Sequence, residues 1–148
     1  MIGNDFGGEL FGGRQDAFNG LVLYGDGKGG FTPENYADNG FLVSGDARSL
    51  VYFPDESGTV HFIAAQNQNF LKHYTLNQQK EAVPLEALDS WAVLALASGA
   101  QRRIDLGYGG GYLSQSSRHV VLDPNYQSLT IYQSDGSSRT HTPDRPAQ

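Results

Sequence analysis

His61, His73, His119 and His141 are the side chains best suited to acid–base or metal chemistry in this chain. Metal ligands usually recur at short spacing within one turn or helix, and no two of these histidines do so. His61 and His73 lie in two apolar segments on either side of the polar hinge Gln66-Asn67-Gln68-Asn69. Across a hairpin they would face each other, and ordinary cross-strand packing is the expected use of such a pair. Ser114, Ser116 and Ser117 lie in one run, without the Gly-x-Ser-x-Gly setting that exposes a nucleophile on a strained turn. Their hydroxyls are expected to bond turn backbone. Asp26-Gly27-Lys28-Gly29-Gly30 has the glycines of a phosphate cradle, but Phe31-Thr32-Pro33 follows where a P-loop opens a helix. A turn is the expected structure there. Gly3-Asn4-Asp5-Phe6, with Glu9 and Asp16, offers oxygens to a cation in no recognisable pattern. Acids elsewhere sit mostly in turns, and no glycosidase-like pair stands out.

Aromatic residues offer a different chemistry. Trp91, Tyr108, Tyr112 and Tyr132 could form a platform for a sugar or a protein partner. Their competing use is as core and corner residues, since they fall in or beside predicted strands. Arg102-Arg103 is the one adjacent basic pair, read as one exposed and one half-covered strand position.

The elements that would position these groups are short strands. The chain has 148 residues, with 39% hydrophobic, 18% charged, 19 glycines and an aromatic share of 11%. Such a composition has enough apolar content for a core and favours strands joined by many turns. Net charge is −6 and no basic stripe offsets it, which argues against nucleic acid as a partner. There are no cysteines, which excludes disulfides, thiolate metal sites and a thiol nucleophile. No apolar run is long enough to span a bilayer as a helix, so membrane insertion is not expected. No Asn-x-Ser/Thr acceptor is present. Met1-Ile2 runs straight into Gly3-Asn4-Asp5 and reads as the tail of a strand. That suggests a fragment, a processed chain, or a first strand supplied from elsewhere.

Reading onward, residues 3–20 form a loop, Leu21 to Tyr24 a strand, and residues 32–40 an irregular segment with a turn at Asp38-Asn39-Gly40. Arg48 to Phe53 is apolar on both faces, which predicts a strand buried on both sides. The turn Pro54-Asp55-Glu56-Ser57-Gly58 leads to strands over Thr59 to Ala65 and Phe70 to Leu76. A polar linker at 77–81 places a boundary, giving modules over 1–80 and 81–148. Leu85 to Leu88 has room for one helical turn. Trp91 to Ala97 has helix-forming composition, but the Ser98-Gly99 turn after it favours a strand. Ile104, Leu106 and Tyr108 should then share a face. The run Leu106 to Arg118, with four glycines and two tyrosines, suits a tight β-corner. His119 to Leu122 and a last hairpin around Ser134-Asp135-Gly136 follow, then a loose tail from Pro143. Leu21–Phe31, Val60–Tyr74 and Leu129–Arg139 each read as strand, turn, strand, a weak repeat.

Leu23-Tyr24-Gly25-Asp26-Gly27-Lys28-Gly29-Gly30-Phe31-Thr32 resembles the blade end of FG-GAP/VCBS repeat proteins, and Gly45-Asp46-Ala47-Arg48-Ser49-Leu50 the entry into a next blade. Gly111-Tyr112-Leu113-Ser114-Gln115-Ser116-Ser117-Arg118 is similar to the C-terminal segment of cartilage-acidic-protein-like proteins of the ASPIC/UnbV type. The resemblance implies an all-β chain: an antiparallel meander like terminal β-propeller blades, followed by a small β-sandwich-like module. It implies an extracellular or cell-envelope protein for adhesion, scaffolding or ligand recognition. The family's calcium loop, of Asp-x-Asp-x-Asp-Gly type, is shortened here to Asp55-Glu56-Ser57-Gly58. Calcium wants six or more oxygens, so Asp55 and Glu56 are the only candidate metal contacts at that turn, and a solvated hairpin is the expected outcome.

These readings favour a non-enzymatic structural or adhesion module. Copies of itself, joined into filaments by strand-edge pairing, would be one kind of partner. The alternative is a propeller fragment that binds a glycan or a protein ligand. A third possibility is an accessory domain of a hydrolase or lyase.

Overall fold

The structure, a computed structural model, describes residues 2–5, 11–13, 15–16, 19–78 and 80–143. Phe6 and Glu9 of the proposed N-terminal oxygen cluster, and the tail beyond Pro143, lie outside the described residues. The chain is nearly all β, with antiparallel pairing throughout. Among the described residues no sheet closes into a barrel.

Two short strands, β1 (Asn4–Asp5) and β2 (Gln15–Asp16), pair with each other. A hairpin of β3 (Val22–Gly25) and β4 (Phe31–Glu34) follows. Asp26 closes its turn by accepting the backbone N–H groups of Lys28 and Gly30 at 2.7 and 2.9 Å. Those amides are therefore used internally and not offered to a phosphate. Residues 32–40, read as irregular, instead finish β4 and enter one short helix, α1 (Tyr36–Asn39). Asn35 caps its start by accepting from Ala37 N, and Gly40 ends it at φ +72°.

The middle layer is a three-stranded sheet in the order β5 (Ala47–Pro54), β6 (Val60–Gln66), β7 (Lys72–Thr75). One face carries Leu50, Tyr52, Val60 and Phe62; the other carries Val51, Phe53, His61, Ile63 and His73. The expectation that β5 is buried on both sides is not met. None of its residues is fully buried and Phe53 is exposed. Its second face looks outward, and its first borders a cleft and not a closed core.

The C-terminal part has two layers. A four-stranded sheet runs β10 (Gln101–Asp105), β9 (Asp89–Leu96), β12 (Tyr126–Gln133), β13 (Ser138–His141). The ribbon of β8 (Glu81–Pro84) and β11 (His119–Leu122) packs on its inner face. Alternation puts Ala92, Leu94, Leu129 and Ile131 inward, where they meet Val83, Val120, Leu122, Leu106 and Tyr126 in one buried cluster. Trp91 to Ala97 is thus a central strand. Ala87 and Leu88 form a turn, not a helical one. Arg102 and Arg103 are both exposed, because β10 is an edge strand.

Candidate functional site

The glycine-rich run from Leu106 to Arg118 leaves β10 and crosses to the middle sheet. The strand ends at Asp105 with Leu106 N still bonded to Ser90 O, so Ile104 and Leu106 share the inward face and Tyr108 leaves it. Leu106 is buried, whereas Tyr108 is 63% exposed. The end of the run docks on β5. Ser116 Oγ accepts from Tyr52 N at 3.1 Å, and Ser117 N donates to Tyr52 O at 3.0 Å. Tyr52 Oη donates in turn to the His119 carbonyl at 3.1 Å. Burial pushes the Tyr52 phenol up, which keeps it a neutral donor. These bonds occupy the free edge of β5 at Tyr52.

Between the two layers, below this run, lies an open cleft of about 560 Å³. Leu50, Val60, Phe62, Leu76, Ile104, Leu106 and Val120 give it an apolar floor, and Arg102, Asp105, Gln115 and Arg118 edge it. Arg118 is held firmly. Its guanidinium stacks 3.8 Å above the Tyr108 ring, and it donates to the carbonyls of Leu106, Glu86 and Asp89. Among the described residues its buried Nε–H has no acceptor, and the buried Ser114 hydroxyl has no partner either. An apolar floor with a few fixed polar groups is the usual build of a ligand site. At the rim the chain turns sharply, with Ser114 N bonded to Gly111 O and Leu113 at φ +47°. This turn presents Tyr112 and Leu113, 72% and 82% exposed.

The four aromatic candidates do not form one platform. Trp91 and Tyr132 are cross-strand partners on the outer face of the four-stranded sheet, stacked at 3.9 Å and 7°. Arg103 lies 4.5 Å from the Trp91 ring centre. Trp91 thus spends its ring on Arg103 and Tyr132, and Tyr108 spends a face on Arg118. Tyr112, at the cleft rim, has the most exposed ring of the four.

The Asp55 turn is likewise self-contained. Asp55 Oδ1 accepts from Ser57 N, Ser57 Oγ and Thr59 N at 2.7–3.0 Å, while Oδ2 faces His61 Nε2 at 3.1 Å. The Ser57 hydroxyl first, and His61 second, hold the Asp55 carboxyl well below the usual carboxylate range. Among the described residues no group of three or more His, Cys, Asp or Glu gathers around Asp55 and Glu56, or anywhere else, to hold a metal. Beyond the turn, His61 does meet His73, with Nδ1 2.9 Å from Nε2. The period-two spacing on either side of the Gln66–Asn69 hinge is the signal that exposes this pair. The cleft has no such signal, because its walls are brought together by contacts 64 residues apart. Among the described residues no helix is long and apolar enough to cross a membrane. No protein-family model, curated protein or solved structure matches the chain.

Proposed function

We propose that this chain is a non-enzymatic adhesion or recognition module of the cell envelope or extracellular space. It holds a protein partner by an apolar, extended segment seated in the cleft under the Leu106–Arg118 run. The observation that carries the reading is the cleft itself: an apolar floor of several side chains edged by the polar groups of Arg102, Asp105, Gln115 and Arg118. A peptide supplies both apolar side chains and carbonyl acceptors, which a glycan does not supply in that proportion. Of the three serine hydroxyls in the run, Ser116 is engaged with Tyr52 N, Ser114 has no base beside it, and Ser117 meets His119 Nδ1 at 3.1 Å without a carboxylate orienting that imidazole among the described residues.

Filament formation by strand addition has less support in the geometry. β1 already pairs with β2. The open edges of the four-stranded sheet are β10 and β13, both short, and β10 bears Arg102, Arg103 and Asp105. Charges on an edge strand discourage such pairing.

A displayed library of random peptides, selected on the immobilised chain, tests the cleft reading. Gly110 lines the cleft, and a Cβ there meets nothing within 4 Å, so Gly110→Trp starts from open space and puts a bulky ring beside the mouth. Enriched peptides should be rich in apolar residues and lose at least tenfold in affinity for Gly110→Trp. No enrichment, or binding indifferent to that substitution, would refute the reading.

A further inference from the structure

We infer that His61 and His73 form a two-imidazole site for a borderline divalent transition metal, with Cu(II) the ion held most tightly. The site follows from register. β6 and β7 pair so that His61 opposes Thr75 and Ile63 opposes His73, which sets both histidines diagonally on one outward face. Nδ1 of His61 and Nε2 of His73 stand 2.9 Å apart. Two metal–imidazole bonds of about 2.0–2.1 Å meeting near a right angle place their nitrogens about 2.9 Å apart. The two nitrogens share an N–H···N hydrogen bond between rings inclined by 18°, and the same separation suits a cis pair of ligands: an ion displaces the shared proton, and both rings turn so that their lone pairs converge on it.

His61 is arranged for the role before any ion arrives. Asp55 Oδ2, 3.1 Å from Nε2, accepts that N–H and so leaves Nδ1 as the nitrogen with the lone pair. A carboxylate behind a ligating histidine fixes the tautomer and raises the ligand's basicity. Phe53 stacks on the His61 ring at 4.9 Å and 14°, which fixes its plane. Asp55 acts here as a positioning residue and not as a ligand, since it engages the nitrogen remote from His73. The protein supplies two ligands, so water or a donor from another molecule completes the shell. Imidazole selects copper, nickel or zinc over calcium, and affinity among them peaks at copper.

Titration calorimetry of the untagged full chain with Cu(II) chloride, alongside electron paramagnetic resonance, tests the site. One equivalent should bind, with hyperfine coupling to two equatorial nitrogens, and calcium chloride should give no heat. His61→Ala and His73→Ala should each weaken binding at least tenfold. Asp55→Asn should weaken it by about tenfold through the orienting contact, and His119→Ala should leave it unchanged. His73 is exposed on an edge strand, so its variant stays folded and keeps the test decisive. Absence of binding by the parent chain overturns the proposal, as does undiminished affinity in the His73→Ala variant.

Discussion

Asp89 holds a charge where its side chain has no exposed surface. Burial pushes its pKa up, yet the Arg139 guanidinium, with both nitrogens at 2.6 Å, the Glu86 N–H and the Gln133 amide overrule this and hold it below the usual carboxylate range. Its contribution to stability is therefore complete above the unfolded carboxylate value of about 3.9 and is lost as pH falls through the lower folded value. Removing one partner strands the other, so Asp89→Ala should cost about 3 kcal/mol in urea unfolding at pH 7. Asp89→Asn should show a shallower loss of stability below about pH 4 than the parent chain; an identical acid profile would mean that Asp89 is not a driver of acid unfolding. Leu113 poses the opposite case, an exposed side chain kept at φ +47°. Leu113→Gly removes that strain and should raise stability by up to about 1 kcal/mol. If the rim contacts the bound segment, the same variant should bind selected peptides more weakly. A stability gain without any change in peptide affinity would remove Leu113 from the proposed contact.

At the scale of the element, turn chemistry was the most legible feature of the chain. Asp26 and Asp55 each fold a hairpin turn by accepting the amides that follow, which is what Asp before glycine-rich text signals. The three hairpins anticipated from the strand–turn–strand repeat are present as β3–β4, β6–β7 and β12–β13. The short helix α1 was not legible, because four residues between Asn35 and Gly40 carry too little periodicity to distinguish a capped turn of helix from a loop. The burial of β5 was misjudged for a different reason: strand composition reports apolar faces, but not whether another layer closes on them. Gly58 shows how strictly one turn is specified. It sits at φ +82°, and a Cβ there would lie 2.5 Å from the Lys80 carbonyl oxygen. Gly58→Ala should therefore cost about 2 kcal/mol or more. Gly107 has no positive φ and open space around its Cβ direction, so Gly107→Ala should stay within about 0.5 kcal/mol of the parent. Equal melting points for the two variants would show that the turn at Gly58 yields to the added methyl.

Among the described residues, the buried cluster draws only on residues 83–131, and the fully buried apolar side chains earlier in the chain are Val43, Val60 and Ala64. Polar contacts among the described residues tie the layers: Tyr52 with Ser116, Ser117 and His119, and Lys80 N with the Gly58 carbonyl. Strand existence could be read locally, but this docking could not, since no local pattern tells Tyr52 that its edge will meet Ser117. The consequence is a molecule whose stability is uneven, with a firm C-terminal sheet and a lightly held wall across the cleft. Amide hydrogen exchange on the full chain should rank accordingly. Central strands β9 and β12 should exchange only through global unfolding, and β3, β4 and β7 should exchange far faster. Uniform protection would contradict the uneven core. The same measurement bears on the cleft, because a bound peptide would couple the two layers: protection should rise in β5 and across residues 106–118 and stay level in β9. A rise confined to the outer face around Trp91 and Tyr132 would move the recognition surface to the far side of the sheet.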